Sequence, residues 1–435
     1  MQKPAGDIRK KDIGVVLLIS APIRIFFYSH LHVSTSADTP GYIHAKVNIF
    51  KGEIDAFRTP VYPWLLKAIA FLGPTRNFLH DVAIVQACIS FASIFFFYKI
   101  ALYALKTRTA VLAATLLYGI SPTLVNFDMC LLTESLSISS MVFFAFLITD
   151  YVKGPSAGKA FFYTLFIFLL TMIRPAFIYL YLLMALFWVA RMFFSGDGKR
   201  LPSWGLLSLA LCLAFLSGYK RLNKRVHGSD AISVVSNLNQ LELVAAYGLY
   251  PNGGDSAITN IIRRDLKDTA QFFLAVLQQS VRNNNISPGR VDSYIRKSIS
   301  AEPGVFIQKT FSRFFTMQSE PVAAIYAQKA DRNASLPNSL MQLDPFNFLC
   351  VSLLLLADLA LSLLSYTRTR TINWIRSFLW ATATTHYLVI FLGARYDHQR
   401  LFVVAIPFLI LISLYYIDWP LLPPRRTNAP DLLPV

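Results

Sequence analysis

The sequence predicts an all-α polytopic membrane protein of about ten transmembrane helices, for three reasons. The chain of 435 residues is 55% hydrophobic and 14% aromatic, with a mean hydropathy of +0.48. A soluble domain of that size has no way to hide so much apolar surface. Apolar runs of spanning length recur from end to end. Finally, the net charge of +17 is spread over short connections between those runs. This is the loop pattern of membrane proteins and not a basic face for nucleic acid.

The expected spans are 13–29, 82–105, 109–126, 130–150, 160–174, 176–194, 204–222, 346–365, 375–392 and 401–418. Lys3, Arg9, Lys10 and Lys11 precede the first, which places the N-terminus in the cytoplasm. Every second connection is then basic as well: Lys106/Arg108, Lys153/Lys159, Arg191/Lys199/Arg200, Arg368/Arg370/Arg376 and Arg425/Arg426. One missed span would invert that agreement, and it puts the C-terminus in the cytoplasm too. The first run resembles a signal peptide, with Ser36-Ala37 as a cleavage-like end. Pro22 and Arg24 within it favour an uncleaved anchor.

Two segments fall on the far side of the membrane. In residues 30–81, stretches 40–52 and 60–72 read as short amphipathic helices lying on the surface, with Trp64, Leu65, Leu66, Ile69 and Phe71 apolar and Lys67 able to snorkel. Residues 223–345 show soluble patterning, with helical stretches at 258–280, 289–300 and 303–316. Turns fall at Asn252-Gly253-Gly254, Asn283-Asn284-Asn285 and Ser287-Pro288-Gly289. The organisation is therefore an N-terminal membrane module (1–222) with a first outer loop (30–81), an outer segment (223–345), and C-terminal membrane helices with a tail (346–435). Lys220, Arg221, Lys224 and Arg225 break the charge rule at the outer end of the seventh span. They read either as a headgroup anchor on anionic lipid or as an electropositive rim for a lipid-linked phosphate.

Polar groups are costly in a membrane, so their placement is informative. They gather at the outer helix ends. Asp38 and Tyr42 lie in the first outer loop, and Arg58 and Tyr62 near its end. Asp128 and Glu134 flank the turn between spans three and four. Arg174-Pro175 marks the next outer turn, and Arg395-Tyr396-Asp397-His398-Gln399-Arg400 the last. Asp38 and Glu134 are the candidate catalytic residues. Tyr42, Arg58, Tyr62, Asp128, Arg174, Arg395, Tyr396 and His398 are the candidate substrate-binding residues: acids for proton chemistry, arginines for a phosphate. Each has a plainer reading as a solvated loop acid, a snorkelling arginine or a boundary marker. Arg400 is read only as such a marker. Asp358, deep in the eighth span, is read as a buried structural acid without a role.

No P-loop, Rossmann glycine pattern, HExxH or GxSxG is present. His30, His32, Asp38 and His44 match no regular metal spacing. Cys88, Cys130, Cys212 and Cys350 lie in or beside apolar runs, with no CxxC. No cofactor is assigned and no residue is named as a metal ligand, with dependence on a divalent metal left open.

Together, Asp38 with Tyr42, Arg58-Thr59-Pro60-Val61-Tyr62-Pro63, Leu132-Thr133-Glu134-Ser135-Leu136, Ile173-Arg174-Pro175, and Gly393-Ala394-Arg395-Tyr396 leading to Pro407 resemble the GT-C membrane glycosyltransferases. The group related to aminoarabinose transferase and the protein O-mannosyltransferases is the most similar. The resemblance covers residues 13–210 and, more loosely, the last three spans. It implies a GT-C-like bundle with a mainly helical periplasmic segment, in the inner (plasma) membrane. It also implies a hexosyl or pentosyl donor on polyprenyl phosphate, a lipid, glycan or protein acceptor, a periplasmic active site, and Asp38 as general base of an inverting transfer. The family often has a second acid next to that Asp, whereas the neighbours here are Ala37 and Thr39. The rival reading is a transporter or lipid flippase. Such proteins usually carry internal repeats and midplane ionisable residues, whereas this chain shows no repeat and its charged residues cluster at the outer helix ends. A further rival is a non-catalytic subunit presenting 223–345 to a partner.

Overall fold

The structure is a computed structural model that describes residues 10–36, 38–48, 51–73, 77–195, 200–268, 286–320, 347–369, 371–393 and 398–417. The described chain is helical, apart from isolated bridges pairing Ser34 with Cys130 and Asn48 with Glu53. In the first half the helices are α1 (Lys10–His30), α2 (Thr39–Ile43), α3 (Val61–Leu72), α4 (Phe78–Ala104), α5 (Arg108–Ile120), α6 (Pro122–Asp128), α7 (Glu134–Lys153), α8 (Ala157–Ile173), α9 (Tyr179–Phe194) and α10 (Arg200–His227). The second half has α11 (Val234–Ala246), α12 (Ser256–Asp268), α13 (Pro288–Ala301), α14 (Pro303–Met317), α15 (Phe348–Thr369), α16 (Trp374–Gly393), α17 (His398–Phe402) and α18 (Ile406–Ile417).

Six described helical stretches are long and apolar enough to cross a membrane: α1, α4, α7, Pro175–Phe194, α10 and α15. The α5–α6 pair, bent by 42°, makes a seventh if it is one span. The chain is thus a multi-pass membrane protein with six to seven candidate spans. α8 and the Arg400–Tyr416 stretch are apolar but shorter, and α16 lies where the ninth span was expected. The bend between α5 and α6 follows from Ser121-Pro122. Proline cannot donate within a helix, and the Ser121 hydroxyl caps the restart by accepting from Leu124 N.

Side-chain chemistry locks the bundle. Gly205 of α10 admits the Trp188 indole of α9, since a Cβ there would lie 2.3 Å from the ring. Trp188 Nε1 then donates to Thr164 Oγ1 of α8 at 3.0 Å. α8 and α10 run in parallel, with Ser208 donating to Phe161 O at 2.7 Å and Phe168 meeting Phe215 further along. Two buried acids are paired with arginines, as a low-dielectric interior favours. Asp12 takes a bidentate grip from Arg108. Asp358 Oδ1 accepts from Arg376 at 2.7 Å and from the Tyr416 hydroxyl at 2.5 Å. Asp358 is therefore the partnered structural acid, and Arg376 turns inward to hold it.

The first outer loop departs from expectation. Residues 49 and 50 of the stretch 40–52 lie outside the described residues, and α-helix spans Thr39–Ile43. Beyond it the chain doubles back, with Asn48 and Glu53 exchanging backbone hydrogen bonds at 2.8 and 2.9 Å. Gly52 takes φ +69°, a turn that no helix accommodates. α3 forms as expected and buries Tyr62, Pro63, Leu66 and Ile69.

Helices α11–α14 build a second small core around Leu238, Leu241, Ile258, Ile262, Val291 and Tyr294, onto which Ala56 and Phe57 of the first loop pack. The root of this segment is fastened to that loop. Val234 N donates to Ala56 O at 2.9 Å, Ser233 Oγ to Phe57 O at 2.6 Å and His227 Nε2 to Ile54 O at 2.6 Å. The expected helices at 289–300 and 303–316 are present, and 258–268 is helical; 269–280 lies outside the described residues. α10 runs on to His227, beyond the expected end at 222. Lys220 stands 3.7 Å from Asp230, and Arg221, Lys224 and Arg225 are exposed.

Candidate active site

Local chemistry places each site residue before the bundle brings them together. Asp55 Oδ1 accepts from the backbone N–H of Phe57 and Arg58 at 2.8 and 2.9 Å, an Asx turn that sets the direction of Arg58. Thr59 then ties the loop to Ile173 O at 3.2 Å. Arg174 precedes Pro175, and a residue before proline is pushed to extended backbone. α8 therefore ends at Ile173, with Arg174 at φ −147° and ψ 118°. The stretch 129–133 is pinned to the first loop through Ser34 N–Met129 O at 2.9 Å, Leu131 N–Ser34 O at 3.0 Å and Thr39 Oγ1–Leu131 O at 3.0 Å. This anchoring brings Glu134, at the N-terminus of α7, beside the Asp38 loop.

The result is a cluster of five charges from distant parts of the chain. Arg58 Nη2 donates to Asp38 Oδ1 at 2.7 Å, and Arg400 Nη1 to Asp38 Oδ2 at 3.2 Å. Arg400 Nε also lies 3.3 Å from Glu134 Oε1, and Arg174 Nη2 lies 3.4 Å from the same oxygen. Among the described residues, three guanidiniums face two carboxylates here. Glu134 is 2% exposed, whereas Asp38 is 29% exposed and reachable. Burial alone would push the Asp38 carboxyl up. Arg58 and Arg400 outweigh it and hold the carboxyl below the usual carboxylate range. Among the described residues, Glu134 Oε2, Arg174 Nη1 and Arg58 Nε have no hydrogen-bond partner, so this buried site retains bonding capacity.

Aromatic groups form one wall. The Arg58 guanidinium lies 4.3 Å from the Tyr42 ring centroid, and Tyr42 meets Tyr62 edge-on at 5.1 Å. Gly41 makes room for this stack, because a Cβ there would lie 2.9 Å from Arg58 Nε. Tyr62 is fully buried and donates to Gln86 Oε1 at 2.7 Å. Gln86 in turn donates to Asp128 O and Cys130 O at 3.0 and 2.9 Å.

The structure thus gathers Asp38, Tyr42, Arg58, Tyr62, Glu134 and Arg174. The Asp128 carboxylate is engaged elsewhere. It accepts from Tyr28 at 2.7 Å and Ser135 at 2.5 Å, and pairs with Arg24 at 3.4 Å. Arg24 is further held by Gly119 O and Ser90. Arg395 and Tyr396 lie outside the described residues, as does the His398 side chain. Arg400 is the site member that sequence reasoning missed. Its position is set by α17, and His386 Nε2 donates to the neighbouring Leu401 O at 3.1 Å. Among the described residues no three His, Cys, Asp or Glu cluster as a metal site.

No protein-family model and no curated protein matches the chain. Among solved structures it is similar to the archaeal oligosaccharyltransferase AglB from Archaeoglobus fulgidus, in complex with an inhibitory peptide and a dolichol-phosphate. The identity is 10% and the TM-score 0.49, over 94% of this chain and 50% of that one. The chain spans about half the length of that protein.

Proposed function

We propose that the chain is a GT-C-type membrane glycosyltransferase with ten spans and both termini in the cytoplasm. In this reading it moves a sugar from a polyprenyl-phosphate donor to an envelope acceptor on the periplasmic face. The observation that supports the reading is the cluster of five described charges: a reachable carboxylate on the first loop held by Arg58 and Arg400, with Glu134 and Arg174 joined to it through Arg400. A transporter reading leaves that loop-borne acid without a task.

In the proposed reaction an acceptor O–H or N–H attacks the anomeric carbon as Asp38 takes its proton. The bond from that carbon to the phosphate oxygen breaks, and polyprenyl phosphate leaves with the electron pair. General-base help of this kind contributes about 10²–10⁴-fold. Negative charge gathers on the leaving phosphate, where Arg58, Arg174 and Arg400 (with Arg395 nearby in sequence) act as fixed cations. Gripped by two guanidiniums, Asp38 is a weak base. Donor phosphate competes for the same guanidiniums, so donor binding loosens that grip and strengthens the base. Glu134 orients Arg174 and Arg400. Tyr42 and Tyr62 line the sugar side, and the 223–345 segment covers the site and helps select the acceptor. An apolar groove of about 700 Å³ between α8 and α10, lined by Phe162, Phe166, Leu169, Phe215 and Leu222, suits the donor's hydrocarbon tail.

The test is a transfer assay with protein in lipid, a radiolabelled sugar on polyprenyl phosphate and an envelope extract, comparing wild type with Asp38→Asn. Label reaching an acceptor only with wild type supports the reading. Equal transfer by both removes Asp38 as the base. A panel of polyprenyl-phosphate sugars, none of which binds, would favour transport instead.

A further inference from the structure

α14 is amphipathic, and its two faces have different neighbours. The inner face is fully used. Phe314 meets Phe391 edge-on at 4.8 Å, Arg313 lies over the Phe391 ring at 5.5 Å, and Met317 is buried. Gln318, just past the helix, donates to the Tyr387 hydroxyl at 2.9 Å and accepts from Ser352 at 2.8 Å. α14 is therefore seated on the ends of α15 and α16.

The other face carries Ile307, Phe311 and Phe315, which are 54%, 60% and 70% exposed. They are spaced four residues apart and so form one stripe, about 12 Å long. Gln308, Ser312 and Thr316 flank it, and the two cations of the helix are turned aside. Lys309 Nζ donates to Tyr247 O at 2.7 Å, and Arg313 packs on Phe391. The stripe does not stop at the helix end. Leu349 N bonds to Gln318 O at 3.1 Å, and from there Leu349, Leu353 and Leu356 continue as exposed leucines along α15, a candidate span. Those leucines face lipid if α15 crosses the membrane, so the C-terminal end of α14 is joined by this bond to the start of a lipid-facing helix.

We infer that α14 is an interfacial helix. It lies in the membrane plane with Ile307, Phe311 and Phe315 sunk among the lipid headgroups and upper acyl chains. It does so on the same side as Asp38, because Tyr247–Phe306 and Lys309–Tyr247 contacts tie α14 to α11. α11 is itself fastened to the loop that carries Arg58. α14 thereby holds the outer segment down against the bilayer beside the candidate site.

The test uses the full chain with the exposed Cys88 and Cys350 changed to serine. Single cysteines are introduced by Ile307→Cys, Phe311→Cys, Phe315→Cys and, as a control on an exposed charged surface, Arg296→Cys. Each carries an environment-sensitive fluorophore, in phosphatidylcholine nanodiscs with or without brominated acyl chains. The expected result is blue-shifted emission and several-fold quenching by brominated lipid at 307, 311 and 315, with neither at 296. Quenching at none of the three overturns the inference and leaves water or protein against this face. Quenching at 315 alone also overturns it, because the helix then stands away from the membrane. Hydroxyl-radical footprinting of unlabelled wild type in the same nanodiscs gives an independent reading. Phe311 and Phe315 should escape oxidation if lipid covers them, and oxidation of both refutes the proposal.

Discussion

Replacing Arg400 by glutamine removes the guanidinium that, among the described residues, touches both site carboxylates, at 3.2 Å from Asp38 and 3.3 Å from Glu134. At such distances and an effective dielectric of about 20, each contact is worth about 5 kcal/mol before desolvation is counted. Desolvation offsets most of this, and Glu134 keeps Arg174 as a partner, so the expected loss of stability is about 2–3 kcal/mol. The effect on transfer should be larger in proportion. Losing one fixed cation from a developing charge costs about 10²–10³-fold, or about 2.7–4 kcal/mol of barrier. The pH profile provides a second readout. In the proposed reaction Asp38 must be ionised, so transfer should be lost as pH falls through the pKa of that group. In the native protein this lies below the ordinary 3.8, because Arg58 and Arg400 outweigh burial. Arg400→Gln removes one of the two groups that depress it, so the acid limb of kcat/KM should move to higher pH. Arg400→Lys keeps the charge but cannot span both carboxylates, and should recover only part of the activity. The assay is donor-saturation kinetics across pH, with thermal unfolding in parallel. Transfer within about threefold of wild type (about 0.6 kcal/mol) together with an unmoved acid limb would refute the assigned role of Arg400.

Three further perturbations separate the site from its scaffold. Gly41→Ala places a Cβ 2.9 Å from Arg58 Nε and should shift the guanidinium off Tyr42. That should raise the donor KM about tenfold, in line with about 1–2 kcal/mol for a shielded cation–π contact, with little change in melting temperature. Tyr62→Phe leaves Gln86 Oε1 without its donor and should destabilise the protein by about 1–3 kcal/mol, seen as an earlier thermal transition. Asp358→Asn deprives a buried Arg376 of its counter-charge and should cost about 3–5 kcal/mol. Transfer per folded molecule should stay at the wild-type level, which active-site titration would check.

Much of this was legible because a membrane makes polar residues conspicuous. Glu134 stands out as a carboxylate at the outer end of an apolar run, and in the cluster it pairs with Arg174 and Arg400. Arg174 was legible through the proline after it. Asp128 shows the limit: its position near a helix end suggested the site, but its partner Arg24 lies 104 residues away and nothing local announces the pairing. Arg400 was missed for the same reason in reverse. It stands in a charged turn, where an arginine normally marks the membrane boundary, and only the closed bundle brings it to Asp38. Of the stretch 40–52, the helix over Thr39–Ile43 is legible in the apolar pattern, whereas the backbone turn at Gly52 is set by conformation and not by hydrophobic pattern. Asp358 was recognised as structural, but its partner had been counted as a loop cation.

Asp38 and Arg400 are separated by 362 residues, which has a consequence for the timing of biosynthesis. Asp38 leaves the ribosome early and Arg400 near the end, an interval of roughly 20–70 s at ordinary elongation rates. Throughout that interval the first loop carries a carboxylate with only one of its two guanidinium partners. In the proposed reading the nascent chain is therefore inactive, and the Asp38–Arg400 contact forms only when the last apolar segments have inserted. A chain that stalls or is clipped before its final helices would sit in the membrane as an incomplete and electrostatically unbalanced bundle, which makes the Asp38–Arg400 contact a natural reporter of complete assembly.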